Sequence, residues 1–164
     1  MTHRILITGG AGFVGSNVGI ALRRHDADYQ VLDFDNLHRR GSELSLARLR
    51  DHGVDFRHGD IRCREDLDEL PRPDVVIDCS AEPSVHAGLD GSPMAPIASN
   101  LGGTINCLEL ARRHDAAFLF LSTSRVYPIE RVNSLPFDEN ATRFQWQNAE
   151  GAPGFSRKGI TEDF

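Results

Sequence analysis

Short apolar runs alternate along the chain with segments whose apolar residues return at helical spacing, and this alternation predicts a βαβαβ order. Residues 4–8 (RILIT) are almost wholly apolar or β-branched, as in a parallel strand covered on both faces. Phe13, Val14, Val18, Ala21 and Leu22 recur at helical spacing as far as His25, after which residues 29–35 (YQVLDFD) read as a second strand. Leu46 and Leu49 mark a short helix, and residues 55–58 are a candidate third strand. Residues 74–79 (DVVIDC) form a fourth, entered through the helix-stopping Pro71 and Pro73. Ile97, Leu101, Ile105 and Leu108 make the clearest helical stripe of the chain, leading to residues 117–122 (AFLFLS), a fifth strand with almost no polar face. Strands joined by such helices need right-handed crossovers, so the fold class is α/β, a Rossmann-type doubly wound parallel sheet. Beyond residue 130 the chain is polar, punctuated by Gly and Pro and without clear periodicity, so residues 1–130 read as one domain and 131–164 as a loop-rich segment.

Composition narrows this picture. A chain of 164 residues suffices for one domain burying roughly 70 % of its unfolded surface. Its 40 % hydrophobic and 26 % charged residues exclude disordered and fibrous classes. No apolar run approaches the ~18 residues of a membrane span, and the start leads into a glycine-rich turn rather than a signal-cleavage site; a cytoplasmic protein with no membrane partner is expected. Cys63, Cys79 and Cys107 are an odd, widely spaced set, which indicates neither a disulfide framework nor a metal site. A net charge of −6 without a basic stripe argues against nucleic acid as a partner.

The chemistry begins at TGGAGFVG, residues 8–15, directly between the first strand and the first helix. Gly9 permits the tight turn, Gly12 lets the backbone approach a pyrophosphate, and Gly15 allows helix to pack closely on strand, while the helix N-terminus offers unpaired N–H donors. Gly9, Gly12, Phe13, Val14 and Gly15 are therefore candidate dinucleotide contacts. An acidic residue about twenty positions on should accept hydrogen bonds from the ribose hydroxyls. Asp33 and Asp35 both qualify by distance; Asp35 is favoured because it ends the second strand, beside Asn36. A carboxylate there repels a 2′-phosphate and points to NAD, against which Arg39 and Arg40 are the counter-evidence. The third strand runs into Asp60 and Ile61, where a short acid suits the adenine amino group. Ser80 and Ala81 are small enough for close passage past a cofactor, and Asn100 is a further candidate contact, or a surface amide of its helix.

TGGAGFVG, DNLHRRG, HGDIR, NLGGTINCLELAR and STSRVY, in that order, resemble the extended short-chain dehydrogenase/reductase family of nucleotide-sugar epimerases and dehydratases. Within it, DNLHRRGSELSLARLR, CSAEPSV, STSRVYPIE and GFSRKGITEDF are most similar to the CDP-paratose 2-epimerase (CDP-tyvelose epimerase) branch. The resemblance implies NAD as cofactor, a nucleotide-sugar substrate and a homodimer. It implies a reaction in which a hydride leaves a sugar carbon and returns to its other face. It makes Thr123 the hydroxyl that assists a Tyr-x-x-x-Lys pair. The dehydratases carry an acidic pair after that Thr; here Ser124 and Arg125 follow, which favours epimerisation.

The Tyr-x-x-x-Lys pair is absent: the tyrosines are Tyr29 and Tyr127, and Lys158 is the single lysine. The chain thus reads as an amino-terminal fragment, inactive by itself, with its apolar fifth strand an open sheet edge. The alternative to an enzyme is a non-catalytic module that senses a dinucleotide.

Overall fold

The computed structural model describes residues 3–84, 86–89, 91–123, 126–147 and 153–164. Five parallel strands form one sheet, in the order β3-β2-β1-β4-β5: β1 (His3–Thr8), β2 (Tyr29–Asp35), β3 (Asp55–His58), β4 (Val75–Asp78) and β5 (Ala117–Phe120). The chain moves from β1 outward through β2 to β3, then returns to the other side of β1 as β4. Order reverses there, and the crevice beyond the C-terminal ends of β1 and β4 is where such sheets bind ligands. The register sets Ile5 of β1 beside Val31 of β2 and Val75 of β4, so the strand ends Thr8 and Asp78 lie side by side.

Successive residues of the strands point to opposite faces, and each face has its own core. Leu6, Phe34 and Val76 pack with Leu67 of α3 (Arg64–Asp68) and with Cys107, Leu110 and Ala111 of α5 (Thr104–His114). Ile5, Ile7, Val31 and Ile77 pack on the other face with Ile20 of α1 (Phe13–His25) and Leu49 of α2 (Ser45–Asp51). The doubly wound sheet anticipated from the apolar runs is the observed one.

The helical stripe before β5 is the exception. A helical turn, α4 (Met94–Pro96), runs through a π-helical stretch, Ile97–Gly103, into α5. Ile97, Leu101, Ile105 and Leu108 stay 45 to 59 % exposed along it, and the buried side is Gly103, Cys107, Leu110 and Ala111. Gly103 has to be small, because a Cβ there would overlap the side chain of Ile61, in the turn after β3.

A second compact unit, Ser122–Phe164, departs from the expected loop. It holds α6 (Ile129–Asn133) and an antiparallel pair of β6 (Phe137–Glu139) with β7 (Phe144–Trp146). A smaller pair joins β8 (Phe155–Ser156) to β9 (Gly159–Ile160). Edge-to-face contacts of Phe137 with Phe144 at 5.3 Å and of Trp146 with Phe155 at 5.6 Å tie it together. Strands of two or three residues are too short to display a period of two, so no pattern betrays them.

Candidate functional site

The turn after β1 is built from backbone. Gly9 takes φ 66°, a conformation that penalises a side chain, and a Cβ there would come within 2.7 Å of the Cys79 carbonyl oxygen. The Gly12 N–H donates to the Gly9 carbonyl at 3.0 Å, and the Ser16 N–H to the Gly12 carbonyl at 3.1 Å. Gly12 caps α1 with no side-chain hydrogen bond, and no acid lies in the first turn. The Phe13, Val14 and Gly15 amides of that turn thus have no capping side chain to take them. A Cβ on Gly12 would meet the Gly9 carbonyl oxygen at 3.0 Å and otherwise open space, so the backbone here is left bare for a close approach. Gly15 serves differently than expected: its missing Cβ makes room for the backbone of Gly9 and Gly10, so helix packs on turn rather than on strand.

This turn forms one wall of a cleft of about 510 Å³ at the C-terminal ends of β1, β2 and β4. Of the sequence-derived candidates, Gly9, Gly12, Phe13, Val14, Gly15, Asp35, Asn36, Asp60, Ile61, Ser80 and Ala81 all line it. An uncapped helix N-terminus, a bare glycine backbone and a strand-end carboxylate in one cleft are a donor set that fits a dinucleotide.

Asp35 accepts the Ala11 N–H at 3.2 Å and the Leu37 N–H at 2.8 Å, which ties the glycine turn to the end of β2 and holds Leu37 at φ 53°. Asp60 is more committed than its proposed adenine role suggests. Arg62 Nε and Nη2 reach its carboxylate at 2.9 and 2.5 Å, and Asn36 Nδ2 at 2.9 Å. The Arg62 guanidinium keeps that carboxyl well below the usual carboxylate range.

Asp33 lies elsewhere. It is fully buried against α1, and neither carboxylate oxygen has a partner among the described residues. Gly10 and Gly19 lack the Cβ atoms that would collide with it or crowd it. Burial, with the Asp35 charge adding to it, pushes its pKa up to about 8, so it is a neutral acid at pH 7. The packing roles of Gly10 and Gly19 escaped sequence reasoning; their one signal is an acid inside an otherwise apolar parallel strand.

At the end of β4 the buried Asp78 gathers three donors: Thr8 Oγ1 at 2.8 Å, Thr104 Oγ1 at 3.1 Å and the Ser80 N–H at 3.0 Å. These bonds lock the strand ends and α5 together and set the path of Ser80 and Ala81. Asn100 is absent from the cleft wall. Its Oδ1 accepts the Glu82 N–H at 2.7 Å and its Nδ2 donates to the Glu82 carbonyl at 3.2 Å, so it holds the loop that lines the cleft. Cys79 lines the cleft as well, its thiol pushed up to about 11 mainly by burial. Thr123 is exposed and belongs to the second unit; Ser124 and Arg125 lie outside the described residues.

A model of the NAD dependent epimerase/dehydratase family matches residues 5–149. The chain is 33 % identical over 147 residues to the CDP-paratose 2-epimerase of Salmonella typhi, an alignment covering 86 % of this chain and 42 % of that protein. It is 38 % identical over 126 residues to a dTDP-glucose 4,6-dehydratase of Mycobacterium tuberculosis, covering 76 % and 37 %. Among solved structures, it is similar to UDP-glucose 4-epimerase from Bifidobacterium longum in complex with NAD+ and UDP, with a TM-score of 0.65 and 26 % identity over 76 % of this chain and 38 % of that one. The chain thus spans about two fifths of the length of these relatives.

Proposed function

Because the chain belongs to the NAD-dependent epimerase/dehydratase family, we propose that it is the dinucleotide-binding part of a nucleotide-sugar epimerase of the CDP-paratose 2-epimerase kind. The observation that carries the cofactor reading is the uncapped first turn of α1 over Gly12, at the wall of the strand-end cleft. The amides of Phe13, Val14 and Gly15 would hold a diphosphate, and Asp35 would accept from the hydroxyls of the adjoining ribose. Ser80 and Ala81 allow close passage of the cofactor past the end of β4, with Asp78 and Asn100 fixing the loop that carries them. Bound NAD would supply reversible acceptance of a hydride from the sugar carbon. Thr123 is the one hydroxyl of the catalytic set that this sequence carries, and the base belongs to a Tyr-x-x-x-Lys pair that these residues do not contain.

Similarity to dehydratases supports a second reading, loss of water from the sugar. The sequence favours epimerisation, since Ser124 and Arg125 follow Thr123 where dehydration calls for carboxylates. Calorimetric titration tests the cofactor: NAD should bind the 164-residue chain with 1:1 stoichiometry, and no heat of binding would overturn the reading. Incubated with NAD and CDP-tyvelose, the same chain should give no product. In a polypeptide that joins these residues to a Tyr-x-x-x-Lys segment, CDP-tyvelose should pass to its 2-epimer with no net change in NAD. Water loss from dTDP-glucose would decide for dehydration.

A further inference from the structure

Arg48 reaches from α2 to the first turn of α1. The next residue, Leu49, is fully buried in one core with Ile20 of α1, which fixes α2 beside α1 and carries the Arg48 side chain to Ser16. The Arg48 guanidinium donates to Ser16 Oγ at 2.7 Å and to Asn17 Oδ1 at 3.3 Å. No carboxylate lies within ion-pair distance of it among the described residues. Ser16 Oγ in turn donates to the Gly12 carbonyl at 2.7 Å, which the Ser16 N–H also reaches at 3.1 Å. A guanidinium can only donate, so the Ser16 hydroxyl accepts from it and directs its own proton to Gly12. The hydrogen bonds therefore run one way, from Arg48 through Ser16 to the Gly12 carbonyl.

That carbonyl belongs to the same peptide group as the Phe13 N–H. In a trans peptide plane the two point in opposite directions, so holding the carbonyl toward Ser16 aims the N–H outward past the start of the helix. There it has no capping side chain, and Gly12 and Phe13 line the dinucleotide cleft, whereas Arg48 does not. Hydrogen bonds in series polarise one another, so donors on the carbonyl make the N–H a stronger donor in its turn. Stability does not account for Arg48: its side chain is exposed, and a cation beside the positive end of a helix dipole is unfavourable. A diphosphate on that helix end is attracted by both. We propose that Arg48 is a positioning residue for the dinucleotide, which acts through Ser16 to aim and strengthen the Phe13 amide that holds the diphosphate. The inference rests on the dinucleotide reading above and deepens it, giving a part in binding to a residue outside the cleft wall.

Calorimetric titration with NAD and urea unfolding, both on the 164-residue chain and its variants, test this role. R48A should bind NAD about tenfold more weakly and keep the unfolding midpoint of the parent chain. R48K retains a donor-only cation and should return to within about threefold of the parent. S16A should lose about as much as R48A, and the S16A/R48A double variant should bind within about threefold of the worse single one, because the two residues act in series. Losses that multiply in the double variant would show that Arg48 does not act through Ser16, and the proposal would fall. It would fall equally if R48A bound NAD within about threefold of the parent, or if its weaker binding came with a lower unfolding midpoint, the mark of a packing residue. In each of these cases NAD binding by the parent chain leaves the dinucleotide reading standing. A parent chain that binds no NAD refutes that reading, and this proposal with it.

Discussion

Two kinds of glycine stand in the turn after β1, and substitution separates them. Gly9→Ala forces a side chain into φ 66° and against the Cys79 carbonyl, so it should cost about 1–3 kcal/mol of stability. Gly12→Ala meets one oxygen at 3.0 Å and otherwise open space; it should leave stability within about 1 kcal/mol and weaken NAD about tenfold or more, read by urea unfolding and calorimetry. Asp33 makes a pH-dependent prediction. Its carboxyl titrates near the ordinary 3.8 when unfolded and near 8 when buried, so between those values the folded state holds the extra proton. Stability should therefore fall as pH rises through that window, by up to about 1.4 kcal/mol per pH unit from this group, and level off above it. Asp33→Asn should flatten the decline measured by urea unfolding between pH 5 and 8.5; an unchanged slope in the variant would show that Asp33 is already ionised in the fold. The spacing of TGGAGFVG and the acid at the end of β2 were readable in the chain because both obey local backbone geometry. That Asp33, two residues earlier, is a neutral acid was not, because its environment comes from Gly10 and Gly19.

The stretch from Met94 to His114 carries two apolar stripes, and helical periodicity treats them alike. The fold buried the one that runs Gly103, Cys107, Leu110 and Ala111: at Gly103 the Ile61 side chain leaves no room for a Cβ, and the other three pack with Leu6, Phe34 and Val76 of the sheet. Ile105→Lys should thus leave stability within about 0.5 kcal/mol, whereas Leu110→Ala should cost about 2–5 kcal/mol. Comparable losses in chemical denaturation of the two would reverse the assignment of faces. Asn100, read beside the stripe as either a cofactor contact or a surface amide, grips Glu82 through both atoms of its amide, a partner that periodicity does not show.

Among the described residues the sheet of the first unit ends at β5, where Leu119 and Phe120 are about half exposed and no further strand pairs. An apolar edge of this kind templates strand addition. Leu119→Lys should lower self-association of the chain, measured by light scattering against concentration, and unaltered scattering would locate any association elsewhere. Across the molecule, periodicity sufficed for the number, kind and order of the first unit's strands and main helices, and the glycine turn located the cleft. These features depend on residues near one another in the chain, whose backbone preferences are written in their own side chains. Other features required residues far apart to meet: which stripe of α5 is buried, the proton on Asp33, the commitment of Asp60 to Arg62 and Asn36, and the meeting of Arg48 with the first turn of α1. Burial and pairing of charges depend on distances through space, which only the folded chain supplies.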